Sequence, residues 1–139
     1  MAGKGTRLRP FTLTCPKPLL QINDKPIVEH LIDQITSKLT TKIEEIIYIL
    51  GDEAYFNSDV VTSLTLIAKK YNAKTKVYRQ LDQLGTGHAI MCAEDSLEGP
   101  SIIAYADTMI QGQISIDSDV DGIIWVKKVE NPSSYGVVK

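Results

Sequence analysis

The chain has 139 residues, 43% of them hydrophobic and 23% charged, enough to bury the core of one compact domain. Fifteen basic residues against seventeen acidic ones leave a net charge of -2, which supplies no broad positive field and excludes a nucleic-acid polymer as the expected partner. Cys15, Cys92, His30 and His88 show neither C-x-x-C nor metal-ligand spacing, and no apolar run reaches bilayer length, so a reduced, cytoplasmic setting away from membranes is expected.

The chain opens with GKGTRLRPFTLTCPKPL, Gly3 to Leu19, a glycine-bracketed turn with Arg7 and Arg9 and then Lys17 between two prolines. Pro26 to about Leu39 carries Ile27, Leu31, Ile35 and Leu39 at helical spacing, and Pro26 suits a first helical turn. Ile43 to Leu50 ends in a nearly unbroken β-branched and aromatic run that stops at Gly51, which predicts a buried strand. Val60, Leu64, Ile67 and Ala68 predict a second helix from about Asp59 to Tyr71, and KTKVYRQ then alternates as a strand does. Gly87 to about Leu97 reads as a third helix, followed by two apolar runs, SIIAYAD (Ser101 to Asp107) and DGIIWVKKV (Asp121 to Val129), expected as further strands. Strands alternating with helices predict an α/β, Rossmann-like layered domain with a mainly parallel central sheet flanked by helices.

Gly3 and Gly5 lack Cβ atoms where a backbone bends sharply or approaches an anion, and consecutive amides can form an anion nest. An ordinary surface turn accounts for two glycines as well. Leu8 stands where a dinucleotide fingerprint needs its third glycine, and no lysine directly follows a later glycine as a P-loop requires, so both familiar nucleotide motifs are excluded. Arg7 offers a donor fork suited to phosphate, and Lys17 is a compact charge stiffened by Pro16 and Pro18. A proline-rich connection with a solvated lysine is the plainer reading of CPKP.

In QLDQLGTGHAI, Gln80 to Ile90, a strand ends and a helix begins at Gly85, Thr86 and Gly87. Glycines there let a ligand lie near a helix's positive end, and Gln80 carries the paired donor and acceptor that read a base edge. A glycine-rich helix entry with Thr86 as N-cap is the competing reading, and His88 reads as a partly buried helix residue. Asp107 follows the apolar run IIAYA, where α/β sheets place ligands, and can hold Mg²⁺ together with substrate phosphates or simply end a strand. DSDVDG, Asp117 to Gly122, imitates the start of a calcium loop. Lys128 sits where that loop needs its glutamate, so these aspartates read as an acidic turn.

In this order, GKGTRLRP with PKPLL, QLDQLGTGHAI, AYADT and NPSSYGVVK resemble the sugar-1-phosphate nucleotidyltransferases over nearly the whole chain. QLDQLGTGHAI is similar to the uridylyltransferase version of the base-binding segment, and Ala106 stands where many members have glycine. The resemblance implies that Gly3, Gly5 and Thr6 line the nucleotide phosphates, that Arg7 stabilises charge developing on them, and that Lys17 holds the sugar phosphate. It further implies that Gln80, Gly85 and Thr86 recognise a pyrimidine, that Asp107 coordinates Mg²⁺, and that Gly136 leaves room for the sugar. The implied reaction joins a sugar-1-phosphate to UTP or dTTP, giving an NDP-sugar and pyrophosphate. Such chemistry needs positioning and charge neutralisation more than a covalent group.

Members of that family begin with a hydrophobic strand ahead of the glycine loop and continue past the YGVVK strand. Residues 1–139 are therefore expected to be one partial catalytic domain, truncated at both ends, with the first strand missing and with little activity alone. Sheet edges exposed in that way favour self-association into a homo-oligomer. A noncatalytic nucleotide- or sugar-phosphate-binding module and a phosphocholine cytidylyltransferase are the alternatives.

Overall fold

The computed structural model describes residues 3, 6–112, 114, 116, 119–134 and 136–138, with no side-chain description for Arg7 and Ser134. Three 3₁₀ turns, Thr6–Leu8, Phe11–Leu13 and Lys17–Leu19, carry the front of the chain. They lead into a hairpin of β1 (Gln21–Ile22) and β2 (Lys25–Pro26), paired antiparallel. Asn23 and Asp24 take φ of 50° and 60° at its tip, the left-handed pair that a two-residue turn needs to follow the twist of its strands. Asn and Asp tolerate that region because their short polar side chains bond locally.

Pro26 ends β2 and stands at the N-cap of α1 (Ile27–Thr36), where the Ile27 N–H donates to the Leu20 carbonyl at 2.9 Å. The helix buries Val28, Leu31, Ile32 and Ile35, the three-and-four spacing of one face. It stops short of Leu39. The Thr36 hydroxyl donates to the Ile32 carbonyl at 2.9 Å, Ser37 Oγ donates to that of Gln34 at 3.2 Å, and the Lys38 N–H turns to Ile35. Hydroxyl back-bonding and tightened i to i-3 bonds close the last turn.

The core is a βαβ unit. Strand β3 (Glu45–Leu50) pairs in parallel with β4 (Lys74–Arg79), in register from Glu45 opposite Lys74 to Leu50 opposite Arg79. Helix α2 (Ser58–Lys70) is the crossover, started by Asn57, whose Oδ1 accepts from the Asp59 and Val60 amides at 3.1 Å each. Asp59 in its first turn and Lys69 and Lys70 in its last complement the helix dipole. Val28 and Ile32 of α1 close over Tyr48, Leu50, Phe56, Val60, Leu64, Ile67 and Ala68. Apolar area removed from water by this cluster is the main source of stability.

Helix α3 (Thr86–Met91) is shorter than the expected span to Leu97. Ala93 leaves helical backbone, and a 3₁₀ turn, Glu94–Ser96, follows. Ser96 Oγ lies 2.7 Å from the Tyr78 hydroxyl and 2.9 Å from Lys76 Nζ, which draws this segment onto β4 instead of along the helix axis. The expected strands over 101–107 and 121–129 do not pair with any strand among the described residues. Ile103 and Trp125 stay exposed. An apolar run specifies burial and supplies no partner, and a strand exists only through its ladder. Among the described residues no helix is long and apolar enough to cross a membrane.

Candidate active site

Lys17 opens its 3₁₀ turn directly after Pro16, whose backbone is extended at φ -58° and ψ 138°. The Leu19 N–H closes the turn on the Pro16 carbonyl at 2.8 Å, and Pro18 is buried beneath it. Two fixed proline φ angles and one short hydrogen bond leave the Lys17 backbone little freedom. Its Nζ donates to Asp107 Oδ2 at 2.9 Å across 90 residues of sequence.

Asp107 sits in an irregular segment tied to α1 and to the turn that follows it. The Ile110 N–H donates to Gln34 Oε1 at 2.8 Å, and Lys38 Nζ bonds the Gly112 carbonyl. The hydrogen bond from Lys17 is the largest influence on the Asp107 carboxyl and holds it below the usual range, with partial burial opposing. Beside the pair lies a cavity of about 220 Å³, lined also by Ile22, Ile27, His30 and Met109. His30 Nε2 meets the Ile22 carbonyl at 2.8 Å, tying the hairpin to α1.

The second group forms at the end of β4. Gln80 is buried, its N–H donates to the Leu50 carbonyl at 2.7 Å, and its side-chain nitrogen donates to the Gly85 carbonyl at 2.9 Å. The same nitrogen lies 3.1 Å from His88 Nδ1. Gly85, with φ 100°, is the N-cap of α3, and Thr86 is the first residue of that helix. The cap at this entry is therefore Gly85 and not Thr86. A backbone at φ 100° strains any residue with a Cβ, which is the local reason for glycine there.

The structure thus joins Lys17 with Asp107, and Gln80 with Gly85, the residue ahead of Thr86, and with His88. Among the described residues no hydrogen bond or ion pair links these two groups to each other. Gly3, Thr6 and Gly136 are exposed, and a Cβ built on Gly3 or Gly136 meets nothing within 4 Å. Gly5 lies outside the described residues. The sequence gives no sign that His30 lines the cavity beside Lys17 and Asp107, and the Asn23–Asp24 hairpin is marked there only by two adjacent turn-forming residues between apolar segments.

Among the described residues no cluster of three His, Cys, Asp or Glu side chains could hold a metal ion. At the cavity Asp107 offers a single carboxylate, a hard oxygen donor. That donor set suits Mg²⁺ arriving with a substrate's phosphates, since Mg²⁺ is commonly held by one or two carboxylates plus phosphate oxygens and water.

Parallel βαβ topology with a glycine at the strand-to-helix turn defines a layered α/β protein. Residues 1–139 match the family described as Nucleotidyl transferase, and the chain belongs to that family. It is 33% identical over 143 residues to the bifunctional protein GlmU of Methanococcus maripaludis strain C5, covering 99% of this chain and 31% of that protein. It is 30% identical to mannose-1-phosphate guanyltransferase of Emericella nidulans, covering 99% of this chain and 39% of that one. Among solved structures, UDP-glucose pyrophosphorylase complexed with UDP-glucose superposes with a TM-score of 0.50 at 28% identity, over 70% of this chain and 39% of that one. The matched region thus spans 31% to 39% of the length of these relatives.

Proposed function

We propose that the protein carrying this sequence joins a sugar-1-phosphate to a nucleoside triphosphate, UTP or dTTP, and releases pyrophosphate. The observation that carries the reading is the approach of Lys17 to Asp107 at 2.9 Å, which sets an ammonium and a carboxylate next to each other at one cavity. In this reading a sugar-phosphate oxygen attacks the α-phosphorus, the new phosphorus–oxygen bond replaces the bond to the β-phosphate bridging oxygen, and pyrophosphate leaves with that oxygen.

Lys17 holds the sugar phosphate for that attack. Gly3, Gly5 and Thr6 line the triphosphate, and Arg7 stabilises the charge that grows on it. Asp107 holds Mg²⁺, which when bound neutralises phosphate charge. Gly136 leaves room for the sugar. Gly85 and Thr86 receive the base, and Gln80 reads its edge by exchanging the Gly85 carbonyl for the base. The cytoplasmic setting expected from composition agrees with such a metabolic role.

The test is pyrophosphate release, measured for each nucleoside triphosphate against a panel of sugar-1-phosphates, by this sequence extended to the length of its relatives. Release with one pyrimidine nucleotide and one sugar phosphate is expected. Release with a phosphoalcohol such as phosphocholine but with no sugar phosphate would replace the reading, as would nucleotide binding without release.

A further inference from the structure

We infer that Lys17 and Asp107 form a latch that couples anion binding to metal binding, each side chain masking the other until both ligands arrive. The inference rests on the reading of Lys17 as the phosphate residue and Asp107 as the metal residue. It goes beyond that reading by assigning a function to their contact in the free protein.

Nζ and Oδ2 lie 2.9 Å apart, and they are the carboxylate and the ammonium lining a cavity whose other walls are Ile22, Ile27, Met109 and His30. A phosphate approaching Lys17 meets a carboxylate of its own sign at hydrogen-bond distance. A divalent cation approaching Asp107 meets an ammonium in the same way. Either ligand alone must break the pair and leave one charge without its partner. The two together replace one ion pair with two, Lys17 with phosphate and Asp107 with metal. Coupling of this kind is reciprocal by thermodynamic necessity.

Exposure makes the exchange accessible. The side chains are 31% and 53% exposed, so the pair falls in the modest range of partly solvated ion pairs and opens without disturbing the core. A contact that merely props the Lys17 turn against residues 107–112 makes the opposite prediction, because losing Asp107 would then loosen Lys17 and weaken its grip on an anion.

The experiment is calorimetric titration with inorganic phosphate in chelator, with MgCl₂ alone, and with phosphate in the presence of MgCl₂. It uses the parent, Asp107→Asn and Lys17→Gln, with the fold of each checked by circular dichroism. The latch predicts that Asp107→Asn binds phosphate roughly two- to fivefold more tightly than the parent in the absence of metal. It predicts a gain of the same order in Mg²⁺ affinity for Lys17→Gln, the removal of one binding residue strengthening the other. In the parent, Mg²⁺ should raise phosphate affinity, and Asp107→Asn should abolish that response. Phosphate binding that Lys17→Gln loses and Asp107→Asn fails to improve overturns the latch and leaves Lys17 as the phosphate residue. Phosphate binding indifferent to Lys17→Gln overturns both.

Discussion

The Tyr55 hydroxyl donates to the Thr12 carbonyl at 2.6 Å, while the Tyr55 ring meets Phe56 edge-on with centroids 5.0 Å apart. Phe56 is almost fully buried in the core. The turn between Arg9 and Lys17 is therefore suspended from the βαβ unit by a phenol. Burial pushes that phenol's pKa up, further above the neutral range in which a phenol is in any case a donor. Tyr55→Phe should cost about 0.5–1.5 kcal/mol in chemical denaturation, the worth of one such bond, and should speed amide exchange across residues 11–15. Unchanged exchange there would show that other contacts position the turn.

Both carboxylate oxygens of Glu29 accept from Lys70 Nζ, at 2.8 and 2.9 Å. The Glu29 side chain is only 7% exposed, against 59% for Lys70. Lys70→Met should destabilise the fold by about 1–3 kcal/mol, chiefly by leaving a buried carboxylate without its donor. Adding Glu29→Gln should restore part of that loss. Urea midpoints of the two variants decide, and equal midpoints would mean that water replaces the lysine.

Burial raises the Asp33 carboxyl, but hydrogen bonds from Lys25 and Tyr71 and the Lys25 charge outweigh it, and the net effect is a lowered pKa. A carboxyl depressed on folding contributes stability that is present above its unfolded pKa, near the ordinary aspartate value, and is lost as pH falls through the folded one. Asp33→Asn should therefore be less stable than the parent at pH 7, with the gap narrowing as pH drops below about 4. Thermal unfolding from pH 7 to pH 3 measures it, and a constant gap would assign the effect to packing.

Gln80→Ala removes the amide that holds the Gly85 carbonyl. In the proposed reaction, discrimination between UTP or dTTP and the purine triphosphates should fall by about 1–3 kcal/mol, the cost of a buried partner left unpaired. Comparison of kcat/KM across four nucleotides gives the number. Equal loss for all four would leave Gln80 with only the support of the α3 entry.

Strong periodicity is what made the core legible. Val60, Leu64, Ile67 and Ala68 announce α2, and the β-branched run ending at Leu50 announces β3, because each buries one continuous face against the other. The hairpin at Asn23–Asp24 escaped reading because two-residue strands carry no period, and only their turn marks them. Residues 101–107 and 121–129 have the composition of strands without a ladder, since pairing depends on a distant segment that local pattern does not encode. The proximity of Lys17 to Asp107 was likewise invisible to spacing. Only the likeness of the two segments to one family implied that both belong to a single site.

The 2.9 Å contact across 90 residues has a consequence for what a folded molecule is. Register between β3 and β4 closes a far shorter loop, from Glu45 to Lys74, and loop closure grows costlier with length. The βαβ unit can therefore stand complete while the segment around Asp107 is detached, in the manner of a separate cooperative unit. The population that is folded and the population that is competent are then two quantities. A probe in the core, such as Tyr48, reports the first, whereas measured ligand affinity is diluted by the second.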